Sequence, residues 1–220
     1  MKLPIFSLRH EINRLASRAE PFGGRAGEIL SAAAFAEAER EITAWPGYMP
    51  TPLVALSGLA EALGLGAIHY KDEGQRFSLK SFKALGGAYA VLKVLRRELA
   101  RKGIQIDGVQ ELLADRHRTA TKEITVCCAT DGNHGRSVAW AAQMFGCRAI
   151  IYLHAGVSIG REAEIAAYGA EMRRVAGGYD DSVRIVAEDA AVEGWFVVSD
   201  TSWPGYEEVP AWVMQGYMVM

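Results

Sequence analysis

Between Phe82 and Leu99 the apolar residues Phe82, Leu85, Tyr89, Leu92, Leu95 and Leu99 recur at spacings of three and four, the signature of an amphipathic helix with one buried face. Ser81 stands where its cap belongs and Gly103 where it should stop, so Lys83 falls in the first turn. From Ile124 the pattern changes. ITVCCAT, CRAIIYL, MRRVA and WFVVS are short apolar runs, separated by helical patterns that close at Gly146, Gly169 and Gly194. Strand and helix alternating in this way predict a parallel sheet with right-handed crossovers, an α/β fold.

Upstream, an arm over the first thirty residues with a Gly23-Gly24 break leads to an Ala-rich helix from about Ser31 to Thr43, capped by Ser31. Pro46, Pro50 and Pro52 then force an extended, turning passage. Ser57 opens a short helix that Gly64 and Gly66 close, and AIHYKDE reads as a strand delivering Asp72 and Glu73 to a loop. At the other end, VPAWVMQGYMVM starts as a helix with Pro210 in its first turn. It finishes on apolar residues with neither a glycine cap nor closing basic residues. The expectation is that a longer protein continues past Met220; a docked C-terminal helix is the competing reading.

Composition narrows the partners. The 220 residues, 50% hydrophobic and 23% charged with a net charge of -2, describe a soluble globular chain. They carry no basic stripe of the kind nucleic acid requires, so a small molecule is the expected partner. Cys127, Cys128 and Cys147 lack C-x-x-C spacing and sit in apolar runs, as buried reduced thiols do. The five histidines have no metal-site companions; structural or solvent-facing roles and no metal are expected. Charges break the apolar run at the N-terminus, and no segment approaches the ~18 apolar residues of a span. The expected location is the cytoplasm, without membrane contact.

Within this frame Lys83 is conspicuous. A lysine that attacks a carbonyl needs a partly neutral amine, which an apolar wall favours, and Phe82 and Leu85 are the expected wall. Glycines inside a helix cost about 1 kcal/mol each against alanine, so Gly86 and Gly87 call for close approach of another backbone or of a flat ligand. A solvated lysine with glycines that ease packing is the competing reading. The second motif is the loop Thr130, Asp131, Gly132, Asn133, His134 and Gly135 at the carboxyl end of a parallel strand, where open α/β sheets bind ligands. Its amides at a helix start favour an anionic group, and Asn133 can donate to a phenolate oxygen. The loop fits neither the Walker nor the G-x-G-x-x-G pattern, which argues against a Rossmann dehydrogenase.

Together these motifs resemble the pyridoxal-phosphate enzymes of fold type II, the tryptophan synthase β type. In that family a lysine after a Ser-Phe-Lys-like segment carries the cofactor, and an S-x-G-N-H-G-like loop cradles it. KDEGQRFSLKSFKALGGAYA, ATDGNHGRSVAWAA and SDTSWPGYEEVPAWVMQGY, in that order, are similar to the diaminopropionate ammonia-lyases over nearly the whole stretch from Trp45 to Met220. The resemblance implies pyridoxal 5'-phosphate on Lys83, with Phe82, Gly132, Asn133 and His134 around it. It also implies α,β-elimination of 2,3-diaminopropionate to pyruvate and ammonia, and a homodimer for the full-length protein.

Asp131 stands where the dehydratases of this fold usually have serine. Its carboxylate can take a proton from the substrate α-carbon or pair with the ammonium of a diamino acid. Asp200, ending a strand at the same rim, is the second carboxylate. For both, an Asx turn or helix cap competes. The resemblance further implies residues 1–86 as the first part of a large domain, 87–198 as a complete smaller domain with the parallel sheet, and 199–220 as the return into the incomplete large domain. The glycine-rich phosphate loop and the partner of the pyridine nitrogen are not found in this sequence. Another fold type II enzyme, such as a serine or threonine dehydratase, and an inactive fragment serving as an interaction module are the alternatives.

Overall fold

The computed structural model describes residues 12–14 and 22–220, so the expected N-terminal arm lies largely outside the described residues. The described part opens with α1 (Gly24–Ile29), a helix the sequence reading missed, and α2 (Ala32–Thr43). Ser31 caps α2 as expected, its Oγ accepting from the Ala34 amide at 3.2 Å. The proline-rich passage delivers β1 (Leu53–Ala55), and α3 (Ser57–Leu63) ends at Gly64 in the left-handed conformation. The strand β2 (His69–Lys71) pairs antiparallel with β1.

The long helix α4 (Lys83–Arg101) begins where its apolar periodicity places it, with Ser81 Oγ accepting from the Lys83 amide at 3.3 Å. Two short helices follow, α5 (Val109–Leu113) and α6 (Arg118–Lys122), too short for a periodic signal to stand out. The four expected strands then appear as β3 (Thr125–Ala129), β4 (Arg148–His154), β5 (Glu171–Val175) and β6 (Phe196–Val197). They form one parallel sheet in the order β5-β4-β3-β6. The connecting helices are α7 (Asn133–Phe145), α8 (Ile159–Ala166) and α9 (Tyr179–Glu193), and α10 (Glu208–Tyr217) closes the chain.

Both faces of the sheet are covered, and the period of two along each strand divides the core. Val126, Cys128, Ile151 and Leu153 join the cluster with α4, α7 and α10, whereas Cys127, Ala129, Ile150 and Tyr152 face Val186 and Ala190 of α9. The three cysteines are free; Cys127 and Cys128 are buried and Cys147 is partly exposed, and loss of hydration pushes the thiols of Cys127 and Cys147 up to about 12. The first expected domain boundary, 86/87, falls inside the continuous helix α4.

Gly86 and Gly87 owe their place to helix packing. A Cβ on Gly86 would lie 2.7 Å from the Val213 carbonyl oxygen of α10, and one on Gly216 would lie 2.6 Å from the Leu85 carbonyl oxygen. A Cβ on Gly87 would meet Ser137 Oγ of α7 at 2.4 Å. Close backbone approach, one of the two reasons the sequence offered, is observed at Gly86, whereas Gly87 makes room for a side chain of α7. Gly86→Ala is therefore expected to lower stability by about 2 kcal/mol despite the better helix propensity of alanine. Gly58→Ala in α3, with nothing within 4 Å of the new Cβ, should raise stability by about 0.5 kcal/mol. Urea unfolding of the two variants checks the opposite signs.

The turn before α4 is fixed by a buried guanidinium. Arg76, 1% exposed, donates from Nε to Glu73 Oε2 at 2.8 Å, from Nη1 to the Met49 carbonyl at 3.1 Å and from Nη2 to Thr51 Oγ1 at 3.1 Å. Burial works to raise the Glu73 carboxyl, but hydrogen bonds from Arg76 and Thr51 outweigh it and hold the group below its ordinary 4.5. A depressed carboxylate stabilises the fold above its unfolded value and loses that contribution as pH falls through the folded value. Acid titration of unfolding should show stability declining below about pH 4.5, with the decline reduced in Glu73→Gln.

Candidate active site

The carboxyl ends of β3 and β6 form the point where the sheet order reverses, since the chain leaves β3 toward β4 through α7 on one face and reaches β6 from β5 through α9 on the other. A cavity of about 210 Å³ opens there, lined by Lys83, Ala129, Thr130, Asp131, Gly132, Asn133, His134, Tyr179 and Asp200. Lys83, Asp131, Gly132, Asn133, His134 and Asp200 of the expected site lie on its wall, whereas Phe82, Leu85 and Gly135 do not. Larger hollows exist elsewhere, but none gathers this chemistry.

Lys83 reaches the cavity from the first turn of α4. Its Nζ forms an ion pair with Asp200, the side chains being 28% and 19% exposed. The Nζ also lies 5.3 Å from the centroid of the Phe82 ring and 5.6 Å from that of Tyr217, whose rings meet edge to face at 5.2 Å. The wall is thus Phe82 and Tyr217; Leu85, expected as part of it, is fully buried in the core. Tyr217 comes from α10, so the return of the chain helps build the lysine's surroundings.

Asp200 is held from behind. Tyr206 donates its hydroxyl proton to the Val197 carbonyl at 2.9 Å and accepts from the Ser199 amide at 2.9 Å, which fixes the segment leaving β6. Burial works to raise the Asp200 carboxyl, yet His134 and Lys83 hold it below the ordinary carboxylate range. His134 is itself pushed down by burial, so the ammonium of Lys83 is the partner that keeps Asp200 ionised. The His134 ring is 2.8 Å through Nε2 from the Val198 carbonyl, and its Nδ1 is 3.7 Å from Asp200.

The loop after β3 is shaped by Thr130, whose Oγ1 accepts from the amides of Gly132 and Gly135, both at 3.0 Å. This leaves Asn133 exposed at the start of α7 and facing the cavity. Asp131, 65% exposed, lies 2.8 Å through Oδ1 from His154 Nε2. Its carbonyl accepts from Arg161 Nη1 at 3.4 Å.

The sequence reading missed Tyr179, Tyr217 and His154. Tyr179 opens α9 after Gly177-Gly178, and burial and then Asp200 push its phenol up. It ends the third strand-loop unit at the rim that already held Asp131, so its place after a parallel strand was the available signal. Among the described residues, no group of three or more His, Cys, Asp or Glu side chains could hold a metal, and no helix is long and apolar enough to cross a membrane.

Residues 44–219 match the family model for pyridoxal-phosphate dependent enzymes. The chain is 45% identical to diaminopropionate ammonia-lyase of Salmonella typhimurium over 80% of this chain and 43% of that relative. The Escherichia coli K12 diaminopropionate ammonia-lyase is 42% identical over 79% of this chain and 42% of its own length. The solved Escherichia coli diaminopropionate ammonia lyase in complex with D-serine superposes with a TM-score of 0.78 at 40% identity, covering 87% of this chain and 48% of that one. The chain thus spans less than half the length of these relatives.

Proposed function

This chain belongs to the pyridoxal-phosphate dependent enzyme family and has the fold type II architecture, and from that premise we propose that it takes part in α,β-elimination of 2,3-diaminopropionate to pyruvate and ammonia. The observation that carries the proposal is the meeting of Lys83, Asp131, Asn133 and Asp200 in one cavity at the switch point of the sheet. The residues fit pyridoxal phosphate: a primary amine with aromatic rings beside it, an amide donor at Asn133, and a helix start. Lys83 would hold it through Nζ, with Phe82, Gly132, Asn133 and His134 around it. When bound, the cofactor supplies the sink for the electron pair left at the substrate α-carbon.

The chain's own groups do the rest. Asp131 would accept the α-proton of the D-isomer on a carboxylate oxygen, and Lys83 Nζ, once the substrate's α-amino group has taken its place on the cofactor, would accept that of the L-isomer. Holding the cofactor would take Lys83 Nζ away from its ion pair with Asp200. Asp131 and Asp200 then complement a substrate that carries two amino groups, which favours a diamino acid over serine or threonine.

The same reading places the protein in amino-acid catabolism in the cytoplasm, with a homodimer as the full-length form. It divides the chain at residues 86 and 198, between a cofactor-carrying segment, a smaller domain and a return segment. Pyruvate release from D- and L-2,3-diaminopropionate, with D- and L-serine assayed in parallel, tests the proposal. Turnover of the diamino acid well above that of serine is expected, and preference for serine would favour a dehydratase.

A further inference from the structure

His154 is the last residue of β4, and its surroundings dictate its tautomer. The Gly156 amide donates to Nδ1 at 3.1 Å. That nitrogen therefore presents its lone pair, and the proton of the neutral ring sits on Nε2. Nε2 lies 2.8 Å from Asp131 Oδ1, so the ring donates to the carboxylate. Gly156 is what permits the amide to come so close, because a Cβ there would fall 2.9 Å from Cε1 and 3.1 Å from Nδ1 of the ring.

Asp131 needs such an anchor. Its side chain is 65% exposed on a loop, whereas His154 is 22% exposed and held at both nitrogens. An unrestrained carboxylate at that exposure samples several rotamers, and proton transfer requires one of them.

We propose that His154 is a positioning residue for Asp131. Its backbone-fixed Nε2–H holds Oδ1 in place and leaves Oδ2 to meet the substrate. This rests on Asp131 as the proton acceptor proposed above, but the hydrogen bond and its ordering effect can be read without cofactor or turnover.

The first test is NMR of the cofactor-free chain. The 15N spectrum of neutral His154 should report the Nε2–H tautomer, and Asp131 χ1 couplings should report one dominant rotamer that averages in His154→Ala. The Nδ1–H tautomer, or an Asp131 rotamer indifferent to His154→Ala, overturns the proposal whatever the enzyme does. The second test is kinetic. His154→Ala should lower kcat for the D-isomer about 10-fold with little change in KM, and His154→Gln, whose amide reaches the Nε2 position, should recover most of it. Equal loss in both variants, or a change in KM alone, counts against positioning. Absence of turnover in every form, wild type included, would sink the proposed function and leave the NMR result to decide the role of His154.

Discussion

Exchanging Asp131 for asparagine is expected to lower turnover of D-2,3-diaminopropionate by about 10²-fold or more, and that of the L-isomer far less. The substitution is nearly isosteric. The asparagine carbonyl can still accept from His154 Nε2, 2.8 Å from Oδ1 in the native chain, so the loop and the cavity wall should keep their shape. What disappears is the basic oxygen and the negative charge. A proton on the face served by Asp131 then has no acceptor, while Lys83 Nζ still serves the opposite face. Pyruvate release measured separately for the two enantiomers reads the asymmetry. Equal retention of both activities would remove Asp131 from its assigned role, and equal loss of both would point to a general electrostatic contribution instead.

Replacing Lys83 has the larger consequence, because the same nitrogen is proposed to hold the cofactor and to serve as the second proton acceptor. Lys83→Ala should reduce turnover of both enantiomers to background. It also strips Asp200 of the ammonium that holds its carboxyl below the ordinary range, leaving a half-buried anion without its partner. Lys83→Arg separates the two roles. Its guanidinium preserves a positive charge beside Asp200 but cannot make the covalent bond, so the fold should be retained while cofactor attachment and turnover are lost. Circular dichroism and unfolding curves beside the activity assay distinguish the variants. Full activity in Lys83→Arg would contradict the assignment.

The parts of this molecule that were legible in the sequence are those where local pattern and tertiary demand coincide. The strands β3 and β4 are buried on both faces and therefore written as continuous apolar runs, and α4 shows its periodicity because one long face packs into the core. Lys83, Asp131 and Asp200 could be placed because each lies at the end of such an element. Arg76 could not, since beyond its local partner Glu73 its meaning depends on Met49 and Thr51, which meet it only after the proline-rich passage folds back. Nor could Tyr217, which reaches the lysine across the α4–α10 crossing that Gly86 and Gly216 allow. His154 was invisible for the same reason. Nothing at residue 154 indicates that the next strand over brings it to the Asp131 loop, and only the parallel pairing of β3 with β4 makes the contact.

The central claim is that Lys83 is the cofactor-carrying residue of this chain. Its most direct test is borohydride reduction of the protein incubated with pyridoxal phosphate, followed by peptide mass spectrometry. The account predicts a phosphopyridoxyl group on the peptide bearing Lys83, present in wild type and absent from that position in Lys83→Ala and Lys83→Arg. Label spread over other lysines such as Lys80 and Lys93, with no preference for Lys83 in the folded wild-type chain, would contradict it.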